Sequence, residues 1–275
     1  MTTIEQIRLR EILDSRGNPT VEAEIWTIMG WGRAAAPSGA STGTHEAKVR
    51  PPREAIADAE QTLIPTLIGE DAGDQVGFDT RLREFDGTPN FGKIGANVAV
   101  ALSMACGRAA ATALNMDLFR YLGGVFAGTT PLPLGNMIGG GAHAANATEI
   151  QEFLVVPTGA ADAGEAVFAN AAVHRKVREL LADQGISAGK GDEGAWAPPI
   201  SDAQAFDTLT QAVGLVSDTL MLNINMGVDV AASQMWDGEV YRYRDRSRTT
   251  EEQISYIAEL VDTHGLVYVE DPLHE

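Results

Sequence analysis

The chain has 275 residues, 44% of them hydrophobic, a net charge of -18 and a single cysteine. That composition supports a sizeable buried core and one large or two ordinary domains. It excludes an intramolecular disulfide and argues against nucleic acid or a membrane as partner, because the acidic surface repels phosphate backbones and anionic lipid and no basic patch offsets it.

The start, Met1-Thr2-Thr3-Ile4-Glu5-Gln6, carries no basic and apolar leader, and nowhere do eighteen apolar residues run together, so a cytoplasmic location is expected. Residues 4 to 13 and 20 to 28 read as two strands joined by the turn Asp14-Ser15-Arg16-Gly17-Asn18-Pro19. A Gly/Ser/Thr-rich loop, Pro37 to Gly43, precedes helical patterns near 53 to 68, 74 to 85 and 94 to 114. Cys106 lies within the last of these, an alanine-rich run, and reads as a small core residue. Together these elements predict an α+β domain over residues 1–125, closed by the Gly- and Pro-rich boundary Gly123 to Pro133.

From 131 to 275 strands alternate with helices. The strands are expected at Leu132 to Met137, Gln151 to Val156, Ile224 to Val230 and Leu266 to Glu270, with helices near 163 to 184, 202 to 219 and 250 to 264. The alternation predicts an α/β fold built on a parallel-type sheet or barrel. A complete barrel of eight strands takes about 250 residues, so this stretch supplies half of one, ending on the strand end and loop Glu270-Asp271-Pro272-Leu273-His274-Glu275.

Acids stand at the places where such folds carry chemistry. Glu152 lies at the second strand, Asp229 ends the third, Glu270 ends the fourth, and Glu193 sits in the loop Gly189-Lys190-Gly191-Asp192-Glu193-Gly194. A single loop acid is usually just surface. Two acids each ending an apolar strand fit a hard cation such as Mg²⁺, which prefers oxygen ligands, and point to a metal-assisted barrel enzyme. The loops Pro37-Ser38-Gly39-Ala40-Ser41-Thr42-Gly43 and Ile138-Gly139-Gly140-Gly141-Ala142-His143 are permissive enough to act as lids, although a glycine-rich loop is more often a plain connector.

Seven segments, in order, resemble the enolase family: Ile12 to Glu22, Pro37 to Gly43, Ile94 to Asn97, Gln151-Glu152-Phe153, Gly191 to Gly194, Asp229 to Ser233 and Glu270-Asp271-Pro272. The resemblance implies a three-stranded N-terminal sheet with helices, then an incomplete enolase-type barrel, similar to an archaeal-type branch. It implies reversible dehydration of 2-phosphoglycerate to phosphoenolpyruvate with Mg²⁺, in a homodimer. Asp229 and Glu270 would be metal ligands, Ser41 would join a second Mg²⁺ and the substrate, Glu193 would be the general acid with Glu152 beside it, and His143 and Gln151 would contact substrate. Gly139, Ala195 and Gln234 depart from the commonest family residues without removing any of these side chains.

The family's third metal carboxylate, base lysine, second substrate lysine and phosphate-gripping His-Arg-Ser segment all follow the fourth barrel strand. The expectation is therefore a truncated enolase sequence, inactive alone, arising from an incomplete gene, a frameshift or a split in which a second chain completes the barrel. The competing expectation is a non-catalytic interaction protein derived from an enolase. A lyase or racemase acting on another carboxylate is disfavoured by the serine loop and the Gly-Asp-Glu-Gly loop.

Overall fold

A computed structural model describes residues 1–39, 42–144 and 146–275 and divides the chain into two units, Met1–Gly128 and Thr129–Glu275. In the first unit, β1 (Ile4–Leu13), β2 (Pro19–Thr27) and β3 (Trp31–Ala35) form an antiparallel meander. The hairpin turn closes because Asp14 Oδ1 accepts from the backbone N–H groups of Arg16 (2.9 Å) and Asn18 (2.8 Å), replacing ladder bonds with a side chain. Helices α1 (Pro52–Asp58), α2 (Ile64–Leu67), α3 (Gln75–Asp86), α4 (Ala96–Ala113) and α5 (Leu118–Gly123) follow.

The apolar face of α4, including Val98, Leu102, Cys106 and Ala109, buries against Leu9, Val21, Ala23, Ile25 and Ala34 of the sheet. The helix and β3 approach so closely that a Cβ on Gly32 would lie 2.3 Å from the carbonyl oxygen of Ala105. Only glycine fits there. Burial pushes the Cys106 thiol up to about 12. We therefore expect Cys106 to stay unmodified by a thiol reagent in native buffer and to react once urea unfolds the chain; labelling at the unfolded rate in buffer would contradict this.

Asp86, 3% exposed, organises the end of this unit. Its carboxylate accepts from the backbone N–H groups of Ile94 (2.8 Å), Lys93 (2.9 Å) and Thr88 (3.0 Å) and from the Thr88 hydroxyl. Burial is the largest influence and pushes its pKa up, but those donors together outweigh it and hold the carboxyl below its ordinary range. Asn97 then clasps the Arg50 backbone, donating to Arg50 O at 3.0 Å. The family-like segment Ile94 to Asn97 thus has a structural use in this unit.

In the second unit, β4 (Gly135–Gly139), β5 (Glu152–Val156), β6 (Gly189–Lys190), β7 (Trp196–Ala197), β8 (Asn225–Asp229) and β11 (Tyr268–Glu270) form one sheet in the order β11-β8-β5-β4-β7-β6. A separate two-residue ladder joins β9 (Tyr241–Arg242) to β10 (Ser247–Arg248). Helices α6 (Ala163–Asp183), α7 (Asp202–Leu220) and α8 (Thr250–His264) start on side-chain caps: Asp162, then Ser201 and Thr249, each of the last two in a reciprocal box with Gln204 or Glu252. The core joins Phe153, Val155 and Val228 of the sheet to Val173, Val177, Phe206 and Leu209 of α6 and α7.

The sheet is mixed, where the alternating pattern predicts a parallel one. β5 runs antiparallel to both neighbours, β4 and β8, whereas β8 and β11 are parallel. The connections explain it. Among the described residues no crossover helix separates β4 from β5, so the chain turns back and pairs antiparallel. One helix, α8, reverses the chain between β8 and β11 and restores the parallel sense. Among the described residues the sheet stays open, with β11 and β6 at its edges. Among the described residues no single helix is long and apolar enough to cross a membrane.

Candidate active site

Strand register gathers the acids. Gly139 pairs with Glu152, Glu152 with Asp229, and Asp229 with Glu270, so one row across four strands carries three carboxylates at one end of the sheet. Glu152 joins the C-terminal ends of β4, β8 and β11 although it begins its own strand, because β5 runs the other way. The two strand ends that carry Asp229 and Glu270 are followed by non-glycine residues at positive φ, Ala231 (48°) and Asp271 (43°). Such conformations concentrate where a fold must place functional groups.

Asp229, 8% exposed, is fixed at both oxygens: Oδ1 accepts from the Ala231 N–H at 3.0 Å and Oδ2 from Gln151 Nε2 at 3.0 Å. Burial raises its pKa most, and the neighbouring Glu270 raises it further. Glu270 is exposed and accepts from the Tyr268 hydroxyl at 2.9 Å. Among the described residues, no lysine or arginine is ion-paired with Glu152, Glu193, Asp229 or Glu270. Uncompensated carboxylates in neighbouring register fit a hard divalent cation, whose charge would relieve their repulsion.

The loop between β4 and β5 brings His143 to the same place. A Cβ at Gly140 would meet the Thr148 carbonyl at 2.2 Å, so glycine is what lets this loop fold back on itself. Its far end is tied to α7, where Asp202 accepts from the N–H groups of Glu149 (2.8 Å) and Ile150 (3.3 Å), one residue before Gln151. His143 Nδ1 lies 3.3 Å from Glu152 Oε1 and 4.0 Å from Glu193 Oε2, within ion-pairing reach but without hydrogen-bond geometry to either. One ligand-capable atom from each of His143, Glu152 and Glu193 falls within 4.8 Å of the others.

Glu193 reaches the cluster from a tight hairpin between β6 and β7, in which Gly191 N–H donates to Ala195 O at 2.9 Å. His174 Nε2, on α6, donates to the Gly194 carbonyl at 3.0 Å, and Trp196 Nε1 donates to the His174 carbonyl at 2.9 Å. Burial raises the Glu152 pKa to about 8; hydrogen bonding and charge from Glu193 add to it, followed by the charges of Asp229 and Glu270. At neutral pH the Glu152 carboxyl is therefore held on its protonated side.

The sign of the resulting pH dependence follows. The folded chain keeps this proton between the ordinary 4.5 and about 8, whereas the unfolded chain has lost it. Stability contributed by Glu152 is thus present at low pH and is lost as pH rises through that window. In metal-free buffer, Glu152→Gln is expected to flatten the decline of urea stability between about pH 5 and 8; identical slopes for both proteins would contradict it.

The structure thus brings Glu152, Glu193, His143, Gln151, Asp229 and Glu270 to one end of one unit. Ser41, the remaining candidate, lies outside the described residues. Sequence reasoning missed Asn136, whose Nδ2 donates to Glu193 Oε2 at 3.3 Å. Its signal was a polar residue inside an apolar strand, Met137 and Ile138 following it.

Residues 4–122 match the family description "Enolase, N-terminal domain", and residues 127–275 match "Enolase, C-terminal TIM barrel domain". The enolase of Methanocorpusculum labreanum is 60% identical over 100% of this chain and 70% of its own length. That of Natronomonas pharaonis is 54% identical over 100% and 70%, and that of Archaeoglobus fulgidus 52% over 99% and 68%. Two successive domain matches in the family order, with this identity along the whole chain, lead to one conclusion: the chain belongs to the enolase family.

Proposed function

We propose that this chain carries the acid and metal-ligand side of a site for the reversible dehydration of 2-phosphoglycerate to phosphoenolpyruvate. The row of Glu152, Asp229 and Glu270, with Glu193 and His143 converging on it, carries the reading. Asp229 and Glu270 would hold one Mg²⁺, and Ser41 would join a second. When bound, the cation stabilises negative charge building on the substrate carboxylate after its neighbouring carbon loses a proton. His143 and Gln151 orient the substrate. Glu193 gives its proton to the departing hydroxyl, whose C–O bond breaks toward oxygen and releases water. Glu152, protonated at neutral pH, passes a proton to Glu193 and takes one back from solvent water, which restores both carboxyls for the next cycle.

By family likeness, the base lysine, third metal carboxylate and phosphate-gripping residues fall outside these 275 residues. The polypeptide alone is therefore expected to give no turnover. Joining it to the remaining barrel segment of the Methanocorpusculum labreanum relative is expected to restore turnover, followed by phosphoenolpyruvate absorbance. Activity of the polypeptide alone, free of contaminating enzyme, would overturn the first expectation, and an inactive but folded fusion the second. In the same reading the partners are a complementing barrel segment and a second copy of the enzyme. Titration calorimetry provides a test that needs no turnover: Asp229→Asn is expected to weaken Mg²⁺ binding by at least about tenfold, since it removes a charged ligand; unchanged affinity would remove Asp229 from the ligand set.

The interaction-protein reading has one observation in its favour. Val125 and Phe126 stand side by side at 87% and 91% exposed, apolar surface that a partner would cover. A folded, soluble polypeptide whose fusion stays inactive would favour it.

A further inference from the structure

The backbone of the Glu193 turn is fixed by α6, through His174 and the Gly194 carbonyl, but its side chain is 51% exposed and has its own torsions to settle. A general acid with a free side chain spends little time in a reactive geometry. Asn136 donates a hydrogen bond to this carboxylate, its Nδ2 reaching Glu193 Oε2 at 3.3 Å from 57 positions away. Asn136 is itself held by β4, in register with Leu154 of β5. Its Oδ1 is buried and has no hydrogen-bond partner.

An amide oxygen buried without a donor is costly, and a side chain of the same size without polar atoms would avoid the cost. The cost is explained if both ends of the amide are used in turn. With Glu193 ionised, the N–H donates to the carboxylate. With Glu193 protonated, a half-turn of the amide presents Oδ1 to the carboxyl O–H. Neither aspartate nor leucine can serve both states. We propose that Asn136 is the positioning residue of the acid, holding the Glu193 carboxyl group in place before and after it gives its proton to the departing oxygen. This inference rests on the reading of Glu193 as that acid.

The test uses the ¹⁵N-labelled 275-residue chain, with the Asn136 side-chain NH₂ signals identified by their loss in Asn136→Asp. Glu193→Ala is expected to move those signals to the position of a free amide, and Glu193→Gln, which can still accept from Nδ2, is expected to keep them near their original place. The Trp196 indole N–H signal, bonded to His174, reports that the turn is intact in each variant. Asn136 signals unmoved in Glu193→Ala would overturn the inference. Should that variant fail to fold, the reciprocal change, Asn136→Leu, is read at the Glu193 carboxyl carbon, which is expected to shift; no shift would overturn the inference equally. The acid role is tested separately, by turnover of Glu193→Gln in the completed barrel. Full turnover there would remove both readings, whereas lost turnover with unmoved Asn136 signals would remove only this one.

Discussion

In the completed barrel, Glu193→Gln is expected to lower kcat by about 10²–10⁴, the usual contribution of a positioned acid, while changing the KM for 2-phosphoglycerate little. Glutamine keeps the shape and the hydrogen bond from Asn136 but has no proton to give the leaving hydroxyl. The loss should therefore fall on the chemical step, as the interaction exists mainly in the transition state. Steady-state kinetics by phosphoenolpyruvate absorbance separates the possibilities. A raised KM with kcat intact would make Glu193 a binding residue. Exchange of the substrate's carbon-bound proton with solvent should outlast the loss of turnover, because proton removal precedes departure of the hydroxyl; if exchange vanished with turnover, the roles assigned to the two sides of the site would need to be reversed.

The largest stability effect is expected at Asp86, outside the candidate site. Asp86→Ala leaves the N–H groups of Ile94, Lys93 and Thr88 without their acceptor. With about 1–3 kcal/mol for each buried donor left unpaired, and partial rescue by water at the more exposed Lys93, a loss of about 3–5 kcal/mol is expected. Asp86→Asn keeps one acceptor oxygen and should lose less. Because the native carboxylate has a lowered pKa, its stabilisation is present above the unfolded pKa and disappears as pH falls through the folded one. Urea denaturation followed by the fluorescence of Trp26 and Trp31 measures both variants; a loss below about 1 kcal/mol for alanine would show that the loop reorganises around the gap.

Much of this architecture was legible in the residues. Helical periodicity placed α6, α7 and α8 within a residue of their observed ends, and α4 within two, because each has one apolar face and a cap or glycine at its limits. The strand ends bearing Asp229 and Glu270 were legible because apolar runs stop at a carboxylate. The direction of β5 was not, since a strand's own pattern is the same whichever way its neighbours run; only the missing crossover helix reveals it. The third strand of the first sheet was expected from the resemblance alone, because close packing of β3 against α4 demands Gly32 and alanines there, removing the branched residues that announce a strand. The two-residue strands β6 and β7 are too short to show any period. The roles of Asp86 and Asn136 were not legible either: Asp86 gathers donors from 2 to 8 positions along one loop, and Asn136 meets Glu193 across 57 positions.

The reversed strand also bears on the order in which the site assembles. β4 and β5 are neighbours in sequence, so their ladder closes a short loop and brings His143, Gln151 and Glu152 together at small entropic cost. Gln151 meets Asp229 across 78 positions, with two long helices in between. Local contacts form fast and distant ones slowly, so folding is expected to build the β4–β5 loop first and to add Asp229 and then Glu270 afterwards. A nascent chain emerging from the ribosome would therefore hold His143, Gln151 and Glu152 together well before Asp229 and Glu270 could join them.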